Sequence, residues 1–153
     1  MRPIYLLPLL PPLLSASPTP VTKWFNPLEV TNITCNDPAD FEGHADIYGD
    51  FQYKNALYLC NYEWHGLTMD PSSKPLYQRE SPYGVSYDYS ISWVEGCETT
   101  VPSQDVQVPL NDQAPGWSCH AIFSTLYKGC INGGIGGYLI AGCLRYQFDG
   151  GLG

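Results

Sequence analysis

The chain of 153 residues carries 15 acidic against 7 basic side chains, and a formal charge of −8 argues against a dedicated nucleic-acid binder, because such a surface repels a phosphate backbone. Six cysteines (Cys35, Cys60, Cys97, Cys119, Cys130 and Cys143) without C-x-x-C or histidine-rich spacing imply three disulfides formed in an oxidising, extracellular compartment. Neither a metal nor another cofactor is expected, and no apolar run reaches the roughly 20 residues of a membrane span.

Residues 1–17 read as a secretory signal peptide. Arg2 gives the positive start, Ile4 to Leu14 the apolar core, and Ser15-Ala16-Ser17 a small-residue cleavage region. Residues 18–153 then form a single secreted domain, whose formal charge without Arg2 is −9. Val21 to Val30, with Trp24, Phe25 and Leu28, is an apolar arm expected to dock on that domain. Asn32-Ile33-Thr34 is an N-glycosylation sequon.

Asp37 as cap, Pro38 at the first helical position and Asp40 in the first turn predict a short helix near residues 38–47. Residues 51–64 hold a dense aromatic run with strand character from about Leu57, and the proline- and serine-rich stretch 66–82 reads as a surface loop. Val85, Tyr87, Tyr89, Ile91 and Trp93 alternate with Ser86, Asp88, Ser90 and Ser92, which predicts a strand with one aromatic face turned to the core. Thr99 to Trp117 reads as a long acidic connection.

Ser118 can cap a helix over 118–128, in which Ile122, Phe123, Leu126 and Tyr127 form one apolar stripe and Gly129 a stop. Cys119 and Cys130, about three turns apart, would staple one face of it at both ends. The run Asn132-Gly133-Gly134-Ile135-Gly136-Gly137 is a turn; it follows a helix and precedes a strand, the reverse of a phosphate-cradling loop. From Tyr138 to Phe148 one continuous strand is expected, with Tyr138, Ile140, Gly142, Leu144, Tyr146 and Phe148 on one face and Cys143 on the other.

These elements add up to a small α+β domain: an antiparallel sheet including 85–94 and 138–148, one or two helices packed on it, and three disulfides. Six cysteines permit 15 pairings; their clustering favours Cys35 with Cys60 and the other four among themselves.

Two kinds of site compete. Tyr62-Glu63-Trp64-His65, on a strand, would aim Glu63 and His65 to one side as a base and an acid, and Arg145 or His120 could complete the set of a small secreted hydrolase of ribonuclease type. The plainer reading makes Glu63 and His65 a solvated face. His120 beside Cys119 points about 100° away from it on a helix, so no Cys-His nucleophile pair is expected. The tryptophans Trp64, Trp93 and Trp117 and the twelve tyrosines could instead supply a platform on which sugar rings stack, with Trp117, in the loop before the helix, as the expected anchor.

The segments Trp93-Val94-Glu95-Gly96-Cys97, Cys119, Tyr127-Lys128-Gly129-Cys130, Asn132-Gly133-Gly134-Ile135-Gly136-Gly137 and Gly142-Cys143-Leu144-Arg145-Tyr146-Gln147-Phe148 resemble small cysteine-rich secreted proteins of filamentous fungi, effector-like proteins similar to modules appended to killer-toxin-like chitinases. The resemblance spans residues 90–149 and implies a non-enzymatic, extracellular interaction protein that binds a glycan or protein at a cell wall or host surface. A chitinase's catalytic carboxylate motif and barrel are both missing from this sequence.

Overall fold

A computed structural model of the chain describes residues 29–111, 114 and 116–152. The expected signal peptide, residues 1–17, and the expected arm with Trp24, Phe25 and Leu28 lie outside the described residues. The fold is a small α+β domain in which a five-stranded antiparallel sheet carries a two-helix layer on one face, held by three disulfides.

The centre of the sheet follows from two alternating sequences. In β4 (Tyr87–Trp93) and β7 (Leu144–Gly150), register pairs Tyr89 with Phe148 and Ile91 with Tyr146, so the inward faces meet apolar to apolar. β6 (Gly136–Ala141) and β1 (Thr34–Cys35) extend the sheet on one side and β3 (Leu76–Glu80) on the other, giving the order β1-β6-β7-β4-β3. The separate pair β2 (Thr68–Met69) and β5 (Gln104–Asp105) forms a short ribbon.

α2 (Cys119–Gly129) lies across β6 and β7 and sends Phe123 into the sheet, where its ring meets Tyr89 edge-on at 5.2 Å and Tyr146 at 5.7 Å. These tyrosines are fully buried, which a phenol tolerates only when its hydroxyl finds an acceptor. Tyr89 donates to the Gln52 carbonyl at 3.0 Å and Tyr146 to that of Val106 at 2.7 Å. Burial raises both phenol pKa values well above the ordinary 10. Ser118 begins α2 but makes no capping bond among the described residues; its hydroxyl instead lies 3.2 Å from His120 Nδ1.

Five expectations are corrected. The aromatic run is helix, not strand: α1 (Gly49–Tyr58) continues into a π-helical turn over Leu59–Glu63. Gln52, Ala56, Leu59 and Cys60 recur at helical spacing and are buried, whereas Tyr53, Tyr58 and Tyr62, which mimic a strand, face outward. The helix expected at 38–47 is only a 3-10 turn, Pro38–Phe41, capped by Asp37 and ended by Gly43 at φ +77°. The stretch 66–82 contains β2 and β3, and β3 is held by the two-point ion pair of Arg79 with Asp88 at 2.7 Å.

The strand expected from 138 to 148 is a hairpin. Gly142, at φ +63°, and Cys143 turn the chain between Ala141 and Leu144, so Leu139 and Ala141 share the inner face with Leu144 and Tyr146. The cysteine pairing is also non-local. Cys35 joins Cys130, Cys60 joins Cys119 and Cys97 joins Cys143, so Cys35 and Cys60 tie opposite ends of α2 to β1 and to the helix before it.

Candidate functional site

The residues of the hydrolase reading do not converge. Glu63 ends the π-helical turn, accepts a hydrogen bond from the Tyr58 hydroxyl at 2.8 Å and raises that phenol's pKa; His65 follows in a turn, and both are exposed. Without a strand there, nothing aims them to one side. Arg145 stands on β7 between Ser92 and Ile140, its guanidinium carbon 3.8 Å above the Tyr138 ring. That is the sheet face opposite the helices. Cys119 is oxidised, which leaves His120 no thiolate partner.

Trp117 and Trp93 are alike half-buried and packed against the core, and of the two Trp93 lines the clefts described below. Asn32 is exposed, so the sequon faces solvent. Trp93 occupies a different position. It is the last residue of the face formed by Tyr87, Tyr89 and Ile91, and where those three are fully buried it emerges, half-buried, at the end of the sheet.

The chain around Trp93 is held from several sides. Gly96, at φ +69°, turns it back, the Val94 N–H donates to the Cys143 carbonyl at 2.8 Å, and the Cys97–Cys143 disulfide closes the loop onto the hairpin. Gln104 clamps that hairpin from below. Its buried amide accepts from the Cys143 N–H at 2.6 Å and donates to the carbonyls of Pro109 at 3.0 Å and Ala141 at 3.2 Å. The opposite wall is the 70–75 loop, organised by Asp70, whose carboxylate accepts from the Ser72 N–H at 2.8 Å and from the Ser72 hydroxyl at 2.7 Å. The hydrogen bonds from Ser72 hold the Asp70 carboxyl below its ordinary pKa.

Between these walls lie two clefts of about 370 and 420 Å³ that share Pro71, Trp93, Cys97 and Glu98. Thr99 and Pro102 line the first, Pro75 and Glu95 the second. Trp93 Nε1 and Thr99 Oγ1 are buried and have no hydrogen-bond partner among the described residues. No family model, curated protein or solved structure matches the chain.

A third cleft, of about 440 Å³, runs along α2 between Tyr53, His120, Ser124 and Lys128. Its one aromatic ring, Tyr53, is already engaged edge-on by His120 at 6.5 Å, so it offers a poorer stacking surface than Trp93. Among the described residues, no three or more His, Cys, Asp or Glu side chains are placed to hold a metal ion, and no helix is long and apolar enough to cross a membrane. What the Trp93 groove offers chemically is an aromatic surface and two exposed carboxylates; Trp93 Nε1 and Thr99 Oγ1 are buried out of a ligand's reach. That set suits non-covalent recognition of a polar ligand with an apolar face.

Sequence reasoning named Trp93 among possible platforms but gave the anchor to Trp117. The signal for Trp93 was its place at the very end of an alternating aromatic face, beside a Gly-Cys turn.

Proposed function

We propose that the protein is a secreted, disulfide-stapled binding module without catalytic turnover, and that it holds a glycan at a cell wall or host surface in the Trp93 groove. The carrying observation is Trp93 itself, a half-buried aromatic side chain that lines both clefts of a braced groove. A pyranose ring packs its apolar face on such an indole, while its hydroxyls donate to the Glu95 and Glu98 carboxylates at the rim. Three disulfides support an extracellular setting, and the resemblance to secreted effector-like modules points the same way.

The hydrolase alternative requires Glu63, His65 and a basic residue around one scissile phosphate, within hydrogen-bond reach of it. Arg145 stands on the far side of the sheet from both, and the net negative charge disfavours RNA as a substrate.

The test is a glycan array and a cell-wall pull-down with the mature protein, alongside an RNA-cleavage assay. Trp93→Ala is expected to weaken glycan binding about thirtyfold, the usual cost of truncating an interface anchor. Trp93→Ala binding as wild type would remove the groove from the proposal. RNA cleavage abolished by Glu63→Gln would overturn the non-enzymatic reading.

A further inference from the structure

We infer that Asn32 carries an N-linked oligosaccharide in the secreted protein, and that this glycan shields the outer edge of β1. Asn32-Ile33-Thr34 is the only sequon in the sequence, and it stands at the β1 edge, three strands from β4 and apart from the Trp93 groove. The strand register explains why this asparagine is displayed. Thr34 faces Tyr138 and Cys35 faces Gly137, yet Val30 bridges Ala141, so residues 31–33 stand opposite residues 139–140 alone. One residue is extra, which makes this a β-bulge. The Thr31 N–H donates to the Ile140 carbonyl at 2.9 Å, and the Ile140 N–H donates to Thr31 Oγ1 at 3.0 Å in place of a backbone carbonyl. Ile33 packs against the core, while Asn32 and Thr34 are both exposed.

An oxidising secretory compartment, which three disulfides require, also supplies the donor, an oligosaccharide carried on a lipid pyrophosphate. Asn32 Nδ2 attacks the anomeric carbon of that oligosaccharide. The C1–N bond forms, the C1–O bond to the pyrophosphate breaks, the lipid pyrophosphate leaves and the amide gives up one proton, with no oxidant or reductant needed. The place of the glycan gives it a role. β1 ends the sheet, and an edge strand is a template on which a second chain can pair. At the opposite edge β3 carries the charges of Arg79 and Glu80, which oppose such pairing. Val30-Thr31-Asn32-Ile33-Thr34-Cys35 has no charge at all and four β-branched residues, the composition of a strand prone to pair. The bulge and an oligosaccharide on its exposed residue supply the protection that charge gives β3.

The experiment expresses the full chain in a eukaryotic secretory host and maps the peptides of the secreted protein before and after amidase deglycosylation, which leaves aspartate at an occupied Asn32. The expected result is an oligosaccharide on the Asn32 peptide, lost in Asn32→Gln and in Thr34→Ala and kept in Thr34→Ser. Unmodified Asn32 in the secreted wild type overturns the inference, and a glycan that persists in Thr34→Ala overturns its assignment to this sequon. Sedimentation at about 0.5 M salt, where repulsion between acidic copies is screened within a few ångströms, tests the shield. The glycosylated protein is expected to stay monomeric, whereas Asn32→Gln and the deglycosylated wild type should both form dimers and larger species as concentration rises. Circular dichroism should show the same fold in all three, since Asn32 is exposed. Glycan-free protein that is folded and stays monomeric over the same range overturns the role given to the glycan.

Discussion

Replacing Gln104 with leucine removes one buried amide that holds the hairpin beside the groove. Gln104 is 3% exposed, and its amide meets the Cys143 N–H at 2.6 Å, the Pro109 carbonyl at 3.0 Å and the Ala141 carbonyl at 3.2 Å. Leucine nearly matches the glutamine in bulk, so the loss is polar rather than a cavity. The Cys143 N–H is then buried without an acceptor, at a cost of about 1–3 kcal/mol, and two carbonyls lose a donor at smaller cost. The expected total is about 3 kcal/mol. For a domain of this size that lowers the melting temperature by roughly 10 °C. Calorimetry without reductant keeps the Cys97–Cys143 disulfide intact and isolates the effect. A melting temperature within about 2 °C of wild type would refute the claim that Gln104 braces the hairpin.

Asp149 sits on the open sheet face opposite Asp88, and burial above all, with a smaller push from the Asp88 carboxylate, raises its pKa above the ordinary 3.8 despite hydrogen bonds from Asn36 and Gln147. The folded protein thus holds this proton more tightly than the unfolded chain, so the stability it contributes is complete below the unfolded value and is lost as pH rises through the folded one. Urea melts should therefore show wild type gaining on Asp149→Asn between about pH 7 and about pH 4, and a gain in the opposite direction would contradict the sign. Non-reducing peptide mapping should recover Cys35 with Cys130, Cys60 with Cys119 and Cys97 with Cys143. A Cys35–Cys60 peptide would contradict the topology.

The parts legible in the sequence were those whose partners lie close along the chain or whose period is long. Nine alternating residues from Val85 marked β4, and the stripe of Ile122, Phe123 and Leu126 marked α2. What could not be read was set by distant contacts. Tyr58 and Tyr62 stack on each other at 5.5 Å on the outside of a helix, so their aromatic character, usually a strand signal, says nothing about burial there. β3 is an edge strand whose inner face carries Gln78 and Glu80, and only its register with β4 explains Arg79 beside Asp88. In the hairpin, a two-residue turn swaps odd and even positions between faces, and nothing local distinguishes that from a continuous strand.

The same limit applied to the groove. Pro71 is far from Trp93 and Glu98 in sequence, and Trp117 had the better local argument because it stands in a polar connection. That both tryptophans pack against the core, and that Trp93 lines the clefts, follows from tertiary contacts alone.

The most direct measurement is a proton–nitrogen NMR titration of the mature protein with the glycan that the array selects. The chain has four tryptophans, Trp24, Trp64, Trp93 and Trp117, so the indole region holds only four N–H signals, assignable by single substitutions. The expected result is a saturable shift of the Trp93 indole signal with the amides of 94–99, while the buried Trp64 signal stays in place. A saturable shift confined to Trp117, or to the Tyr53 and His120 cleft, with Trp93 unmoved, would contradict the assignment of binding to the Trp93 groove.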